Sequence, residues 1–123
     1  MEDKHLSVLN SLTQLEDLTL AGASITDDGL GQLKLPRLRR LFLDACTKVT
    51  DAGLYHLAGM PELEELLLMG SGVRGEDLMG LAESGLKKLR RVFLNADQVR
   101  GGQPVIDALH GKLPDCEVII LRG

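Results

Sequence analysis

A six-residue pattern, L-x-x-L-x-L, recurs along the chain and constrains its fold more than any other feature. It reads Leu15-Glu16-Asp17-Leu18-Thr19-Leu20, then Leu38-Arg39-Arg40-Leu41-Phe42-Leu43, then Leu63-Glu64-Glu65-Leu66-Leu67-Leu68. It returns as Leu89-Arg90-Arg91-Val92-Phe93-Leu94, and a degenerate fifth copy is Cys116-Glu117-Val118-Ile119-Ile120-Leu121. The copies begin at residues 15, 38, 63, 89 and 116, so the intervals are 23, 25, 26 and 27 residues. Such spacing is the signature of stacked units, each too small to bury its own apolar face. Composition agrees: 44% of the 123 residues are hydrophobic, yet there are two Phe, one Tyr and no Trp. One compact core of this size would normally hold several aromatic rings, whereas thin repeated layers are filled by leucine.

Alternation of period two in the second half of each copy marks a strand with one buried face. A turn follows, then helical spacing: Thr26-Asp27-Asp28-Gly29-Leu30-Gly31-Gln32-Leu33 in the first unit, Thr50-Asp51-Ala52-Gly53-Leu54-Tyr55-His56-Leu57-Ala58 in the second. Thr26 and Thr50 suit the N-cap, with the aspartates of the first turn facing the positive helix end. Leu30 with Leu33, and Leu54 with Leu57, share a helix face. Pro36 and Pro61 are expected to stop the helices before the next strand. The third unit departs, with Val73-Arg74-Gly75-Glu76-Asp77-Leu78 at the helix start. The fourth departs further, with Val99-Arg100-Gly101-Gly102-Gln103-Pro104, which predicts a longer loop and a late helix over 105–109. Residues 4–12, carrying Leu6, Leu9 and Leu12, are expected to cover the first unit, and residues 108–120 to close the other end with a helix and a strand.

Leu38, Leu41, Leu43, Cys46, Val49, Thr50, Asp51, Gly53, Leu54 and Leu57 follow the series L-x-x-L-x-L-x-x-C-x-x-[IV]-T-D-x-G-L-x-x-L nearly throughout. On these residues the chain resembles the leucine-rich-repeat family, in its ribonuclease-inhibitor-like and cysteine-containing subclasses, over about residues 15–122. The first unit is one residue shorter and carries Ala23 where Cys46 stands. The resemblance implies an α/β fold in a single domain over 1–123: a short right-handed horseshoe solenoid, with a parallel sheet of about five strands on the concave face and helices on the convex face. Residues 1–14 would form an N-terminal cap, the repeats would start at 15, 38, 63 and 89, and 116–123 would be the terminal strand.

In that register positions 1, 4 and 6 of each copy point inward and positions 3, 5 and 7 point out from the sheet. Position 5 reads Thr19, Phe42, Leu67, Phe93 and Ile120, so both phenylalanines fall in one outward column. Met69, at position 7 of the third copy, extends it. With strands about 4.8 Å apart these side chains form a contiguous apolar stripe; a stripe of this kind marks an interaction surface, unless its side chains simply pack on their lateral neighbours or a chain terminus folds across them. The expected function is therefore that of a protein-binding scaffold or adaptor: Phe42, Leu67, Met69, Phe93 and Ile120 would contact a protein partner, flanked by Arg40, Glu65 and Arg91. Two other roles fit the resemblance. One is a structural or assembly subunit of a large complex, since the ending Leu113-Pro114-Asp115-Cys116-Glu117-Val118-Ile119 is similar to mitochondrial respiratory-complex assembly proteins and to the coupling factor B type of ATP synthase. The other is the substrate-recognition part of an F-box type ubiquitin ligase, whose cysteine-containing repeats the second unit resembles.

Positions 2 and 3 alternate in sign: Glu16-Asp17, Arg39-Arg40, Glu64-Glu65, Arg90-Arg91, then Glu117. Stacked in register, the basic run Lys87-Lys88-Leu89-Arg90-Arg91 would be largely neutralised by Glu64, Glu65 and Glu117. With a net charge of −4, this argues against nucleic-acid binding. No apolar run approaches the roughly 20 residues of a membrane span, and the charged start Met1-Glu2-Asp3-Lys4-His5 is followed by no signal-peptide core. Cys46 and Cys116 fit no metal-ligand spacing and are expected to be buried, reduced thiols. His5, His56 and His110 fall in separate units. No acid, base and nucleophile converge, so neither an enzyme nor a cofactor or metal is expected. Asp97, at the inward position equivalent to Ala23, Cys46 and Ser71, is expected to be buried and bonded to loop amides. A monomer in a cytoplasmic, otherwise intracellular, or mitochondrial compartment completes the expectation.

Overall fold

The computed structural model describes residues 2–122. Five short strands, β1 (Asp17–Thr19), β2 (Arg40–Phe42), β3 (Glu65–Leu67), β4 (Arg91–Asn95) and β5 (Glu117–Leu121), form one sheet in sequence order. Every neighbouring pair is parallel. Parallel neighbours require a crossover, and each crossover here carries helical turns: α1 (Asp27–Leu30), a 3-10 turn (Asp51–His56), α2 (Gly80–Glu83), and a 3-10 turn (Ala96–Gln98) leading to α3 (Gly102–Lys112). A further 3-10 segment, Asp3–Ser11, precedes β1 and packs on α1. The crossovers pack in the same order as the strands: α1 on the Asp51–His56 turn, that turn on α2, and α2 on α3.

The core lies between the sheet and these turns, in rows that repeat along the stack. Leu41, Leu66 and Val92 form one strand row and Leu43, Leu68 and Leu94 another, all fully buried. The helical turns answer with Leu6, Leu30, Leu54 and Leu78, set 24 residues apart and each no more than 1% exposed. Residue Leu6 thus belongs to the same row as the later units. Leu12 does not cover the first unit as expected: it follows the end of the 3-10 segment at Ser11 and is 48% exposed.

The helical turns are shorter than their spacing suggests. α1 is a single turn, and beyond it the chain tightens to i→i+3 hydrogen bonds, Gly31 to Asp28 and Gln32 to Gly29. The turns end at Leu30 and His56, well before Pro36 and Pro61, so proline does not stop them. The reason for the brevity lies in Gly29 and Gly53. A Cβ on Gly29 would collide with Oδ1 of Asp3, and one on Gly53 with Oδ1 of Asp27. These glycines make room for a carboxylate from the preceding unit, and they weaken helix propagation as they do so. In the fourth unit the helix is longer than expected, Gly102–Lys112 in place of 105–109. Pro104 falls in its first turn, where the missing N–H costs nothing.

Candidate functional site

The strand register brings Thr19, Phe42, Leu67 and Phe93 into one lateral row, each the direct neighbour of the next. The row continues not with Ile120 but with Ile119, which pairs with Phe93. Ile120 pairs with Leu94 and belongs to the inward row, which corrects the expectation for that residue. The cause is a one-residue deletion in the fifth copy. Cys116 keeps the core slot of Leu89, at 1% exposure, and the next residue, Glu117, already lies beside Arg91. Two consecutive isoleucines make the slip invisible to hydrophobic alternation.

Phe42, Leu67, Phe93 and Ile119 are half-buried, as is Met69 two residues beyond Leu67. They shield one another across the sheet and still present one edge outward. The most exposed large apolar side chains lie elsewhere, at Val8, Leu12, Tyr55 and Leu121. Thr19 ends the stripe with a polar, exposed side chain at β1.

Beside the stripe runs the charged row that contains the flank. Arg40 Nε is 2.9 Å from Asp17 Oδ1 and 3.8 Å from Glu65 Oε1, and Arg91 Nη1 is 2.9 Å from Glu65 Oε2. A second row lies next to it, where Arg39 bridges Glu16 at 3.3 Å and Glu64 at 2.8 Å. The hydrogen bond from Arg39 holds the Glu64 carboxyl below the usual carboxylate range and raises the Arg39 guanidinium in turn. The alternation of sign seen in the sequence therefore becomes a ladder of ion pairs over the first four strands. It ends there: among the described residues neither Arg90 nor Glu117 makes an ion pair. The deletion that displaces Ile120 also removes the fifth acid opposite Arg90. Neutralisation of the Lys87–Arg91 stretch is thus less complete than its sequence implies, resting on Glu65 for Arg91 and Glu62 for Lys88, at 2.9 and 2.7 Å.

A second register slip corrects Asp97, which is exposed. The inward slot of the fourth unit is taken by Gln98, 2% exposed, because the Ala96–Gln98 turn adds one residue after β4. Gln98 Oε1 accepts from the backbone N–H of Asn95 at 2.9 Å and Gly70 at 3.0 Å. Its Nε2 donates to Leu68 O at 2.9 Å and lies 3.2 Å from the carbonyls of Ser71 and Val73. A neutral amide supplies both donors and acceptors there, which a carboxylate could not.

The aspartates of the helix starts do more than face a dipole. Asp3 accepts from Thr26 N at 2.8 Å, Asp27 from Thr50 N at 2.7 Å, and each also accepts from the threonine hydroxyl. Asp51 accepts from Arg74 N at 2.7 Å, Glu76 N at 2.9 Å and Asp77 N at 3.0 Å. The threonines in turn cap as expected, with Thr26 accepting from Gly29 and Thr50 from Ala52. Each aspartate therefore fastens its unit to the next. Local sequence hinted at this only through the fixed 24-residue recurrence of Asp3, Asp27 and Asp51. In the third unit Gly75 replaces the aspartate. Its φ of +60° and the approach of Gln98 O leave no space for a side chain, and Gly101 N bonds Gly75 O directly at 3.1 Å.

Both thiols are buried. The Cys46 thiol donates to Leu20 O at 2.9 Å, and burial raises its pKa. Burial pushes Cys116 up to about 11. Neither is an activated nucleophile. Among the described residues no three His, Cys, Asp or Glu side chains gather as a metal site, and no helix is long and apolar enough to cross a membrane. Set against protein-family models and curated proteins, the sequence finds no match.

Proposed function

We propose that the chain is a leucine-rich-repeat solenoid that serves as a protein-binding scaffold, with its sheet as the concave face and its helical turns as the convex one. The observation that carries this reading is the in-register row Phe42, Leu67, Phe93 and Ile119. Aromatic and aliphatic side chains held in a rigid row, with Met69 beside them, suit the buried centre of a protein interface. Arg40, Glu65 and Arg91 would form its polar rim. Rim pairs of this kind are each worth about 0–1 kcal/mol, so the stripe would supply affinity and the rim orientation.

The reading is of a binding module and not of an enzyme: Asp3, Asp27 and Asp51 are engaged in fastening one unit to the next. Two free, buried cysteines favour a reducing compartment inside the cell. The direct test is capture of the native partner by the purified chain, with Phe42→Glu/Phe93→Glu as the paired variant. Loss of capture with an unchanged circular dichroism spectrum supports the stripe. Undiminished capture by the double variant moves the site to the helical turns or loops.

A further inference from the structure

Among the described residues the ladder of charge has five rungs, and both outer strands of the sheet carry an acidic one. Along the row that faces the flank the order is Asp17, Arg40, Glu65, Arg91, Glu117. Arg40 and Arg91 each have an acidic partner within 2.9 Å, but among the described residues Glu117, on β5, has no basic one. Its side chain is exposed, and among the described residues β5 pairs with β4 alone.

The backbone of that edge is equally unfinished. At the sixth position of each copy the N–H donates forward to the next strand: Leu20 to Phe42 O at 2.9 Å, Leu43 to Leu67 O at 2.8 Å, Leu68 to Phe93 O at 2.9 Å. The register places Ile120 at the same position of β5. Its N–H and C=O, with those of Val118 two residues earlier, are thus directed at the open edge, since alternate residues of a parallel strand face alternate neighbours. An exposed strand edge of this kind is a template for another strand.

We propose that the open edge of β5 docks an extended segment of a partner protein that carries an arginine or lysine beside Glu117 and an apolar side chain beside Ile119. The chemistry follows from the ladder: the next rung after an acidic strand is a basic one. The same logic disfavours a second copy added head to tail. That arrangement would set Asp17 of one molecule beside Glu117 of the other, and like charges directly opposed on neighbouring strands are destabilising. This edge adjoins the stripe at Ile119, but it offers the backbone groups of Val118 and Ile120 and the carboxylate of Glu117, and its occupation does not depend on the stripe being a binding site.

The probe is a capped synthetic peptide with the sequence of residues 37–44 of this chain, Arg-Leu-Arg-Arg-Leu-Phe-Leu-Asp, which is the basic strand already seen to fit beside an acidic one. A control peptide replaces its two adjacent arginines by glutamate. Amide hydrogen exchange and titration by fluorescence anisotropy read the outcome on the full chain. The expected result is slowed exchange at Val118 and Ile120 on adding the basic peptide, no slowing with the acidic one, and binding that weakens with salt. Glu117→Lys is expected to weaken the basic peptide by about fivefold or more and to favour the acidic one, since a cross-strand pair is replaced by repulsion. Glu117 is exposed and outside the core, so this variant keeps the fold. The proposal is overturned by equal binding of both peptides, by no protection at Val118 and Ile120 at millimolar peptide, or by a peptide-free dimer that protects the same two amides.

Discussion

The carboxylate of Asp27 receives both the backbone N–H of Thr50, at 2.7 Å, and its hydroxyl, at 2.6 Å, across 23 residues of sequence. That pair fixes the start of the second helical turn against the first. Asp28, its neighbour, is exposed and is not among the groups that Thr50 contacts.

Removing this fastening should be costly in a way its exposure conceals. Asp27→Ala is expected to lower unfolding free energy by about 1–3 kcal/mol, the usual range when a hydrogen-bonded polar partner is deleted. Asp28→Ala should stay within about 0.5 kcal/mol of the parent. Urea denaturation followed by circular dichroism compares the two, and equal effects would contradict the role given to Asp27.

Gln98 and Asp97 offer a sharper contrast one residue apart. Gln98→Ala strips the partners from Leu68 O, Gly70 N and Asn95 N, and should cost about 2–4 kcal/mol, more than one buried hydrogen bond. Asp97→Ala, on the exposed side of the same turn, should cost less than about 0.5 kcal/mol. A reversed order would place the inward slot back at Asp97.

The two isoleucines of β5 divide the same way. Ile120→Ala trims the inward row and is expected to reduce stability by about 2 kcal/mol, at the lower end for aliphatic truncation because β5 is an edge strand. Ile119→Ala should reduce it less and should instead weaken partner capture. Thermal melts and the capture assay separate the two effects.

Cys116 sets a pH dependence at the alkaline end. Its thiol titrates near 11 in the fold against an ordinary value of 9.0, because burial disfavours the thiolate. A group raised in this way leaves stability intact below pH 9, and stability falls as pH rises from 9 to 11 while only the unfolded chain loses the proton. The loss amounts to about 2–3 kcal/mol by pH 11. Cys116→Val should flatten the slope between pH 9 and 11 relative to the parent, measured as the difference in urea midpoints. An unchanged slope would show that this thiol is not the group responsible.

The regular part of the fold was legible because regular residues specify it. Apolar residues at positions 1, 4 and 6, leucine in all but one place of the first four copies, mark the parallel strands, and alternating charge at position 3 marks their lateral neighbours. What sequence could not resolve lies where a unit gains or loses one residue. Cys116-Glu117-Val118-Ile119-Ile120-Leu121 offers four apolar residues in a row, so period-two alternation fits either register equally well. Only the lone glutamate, seeking the row of Arg91, distinguishes them. The Asp97–Gln98 slip has a similar cause, since both are polar and the extra residue sits in a turn without periodicity. The aspartate fastenings were missed for another reason. A carboxylate at a helix start reads locally as a dipole partner, and its true donors lie a full unit away.

Those fastenings and the charge ladder set different rules for how such a chain can lengthen by duplication. Copying residues 27–50 in place would give the new aspartate a threonine 23 residues on, so every junction would still close. It would also lay Arg39 and Arg40 beside a second copy of themselves. Copying two units together keeps both rules. An array built on these contacts therefore inherits new strands in pairs and keeps an odd total, with an acidic strand at either end.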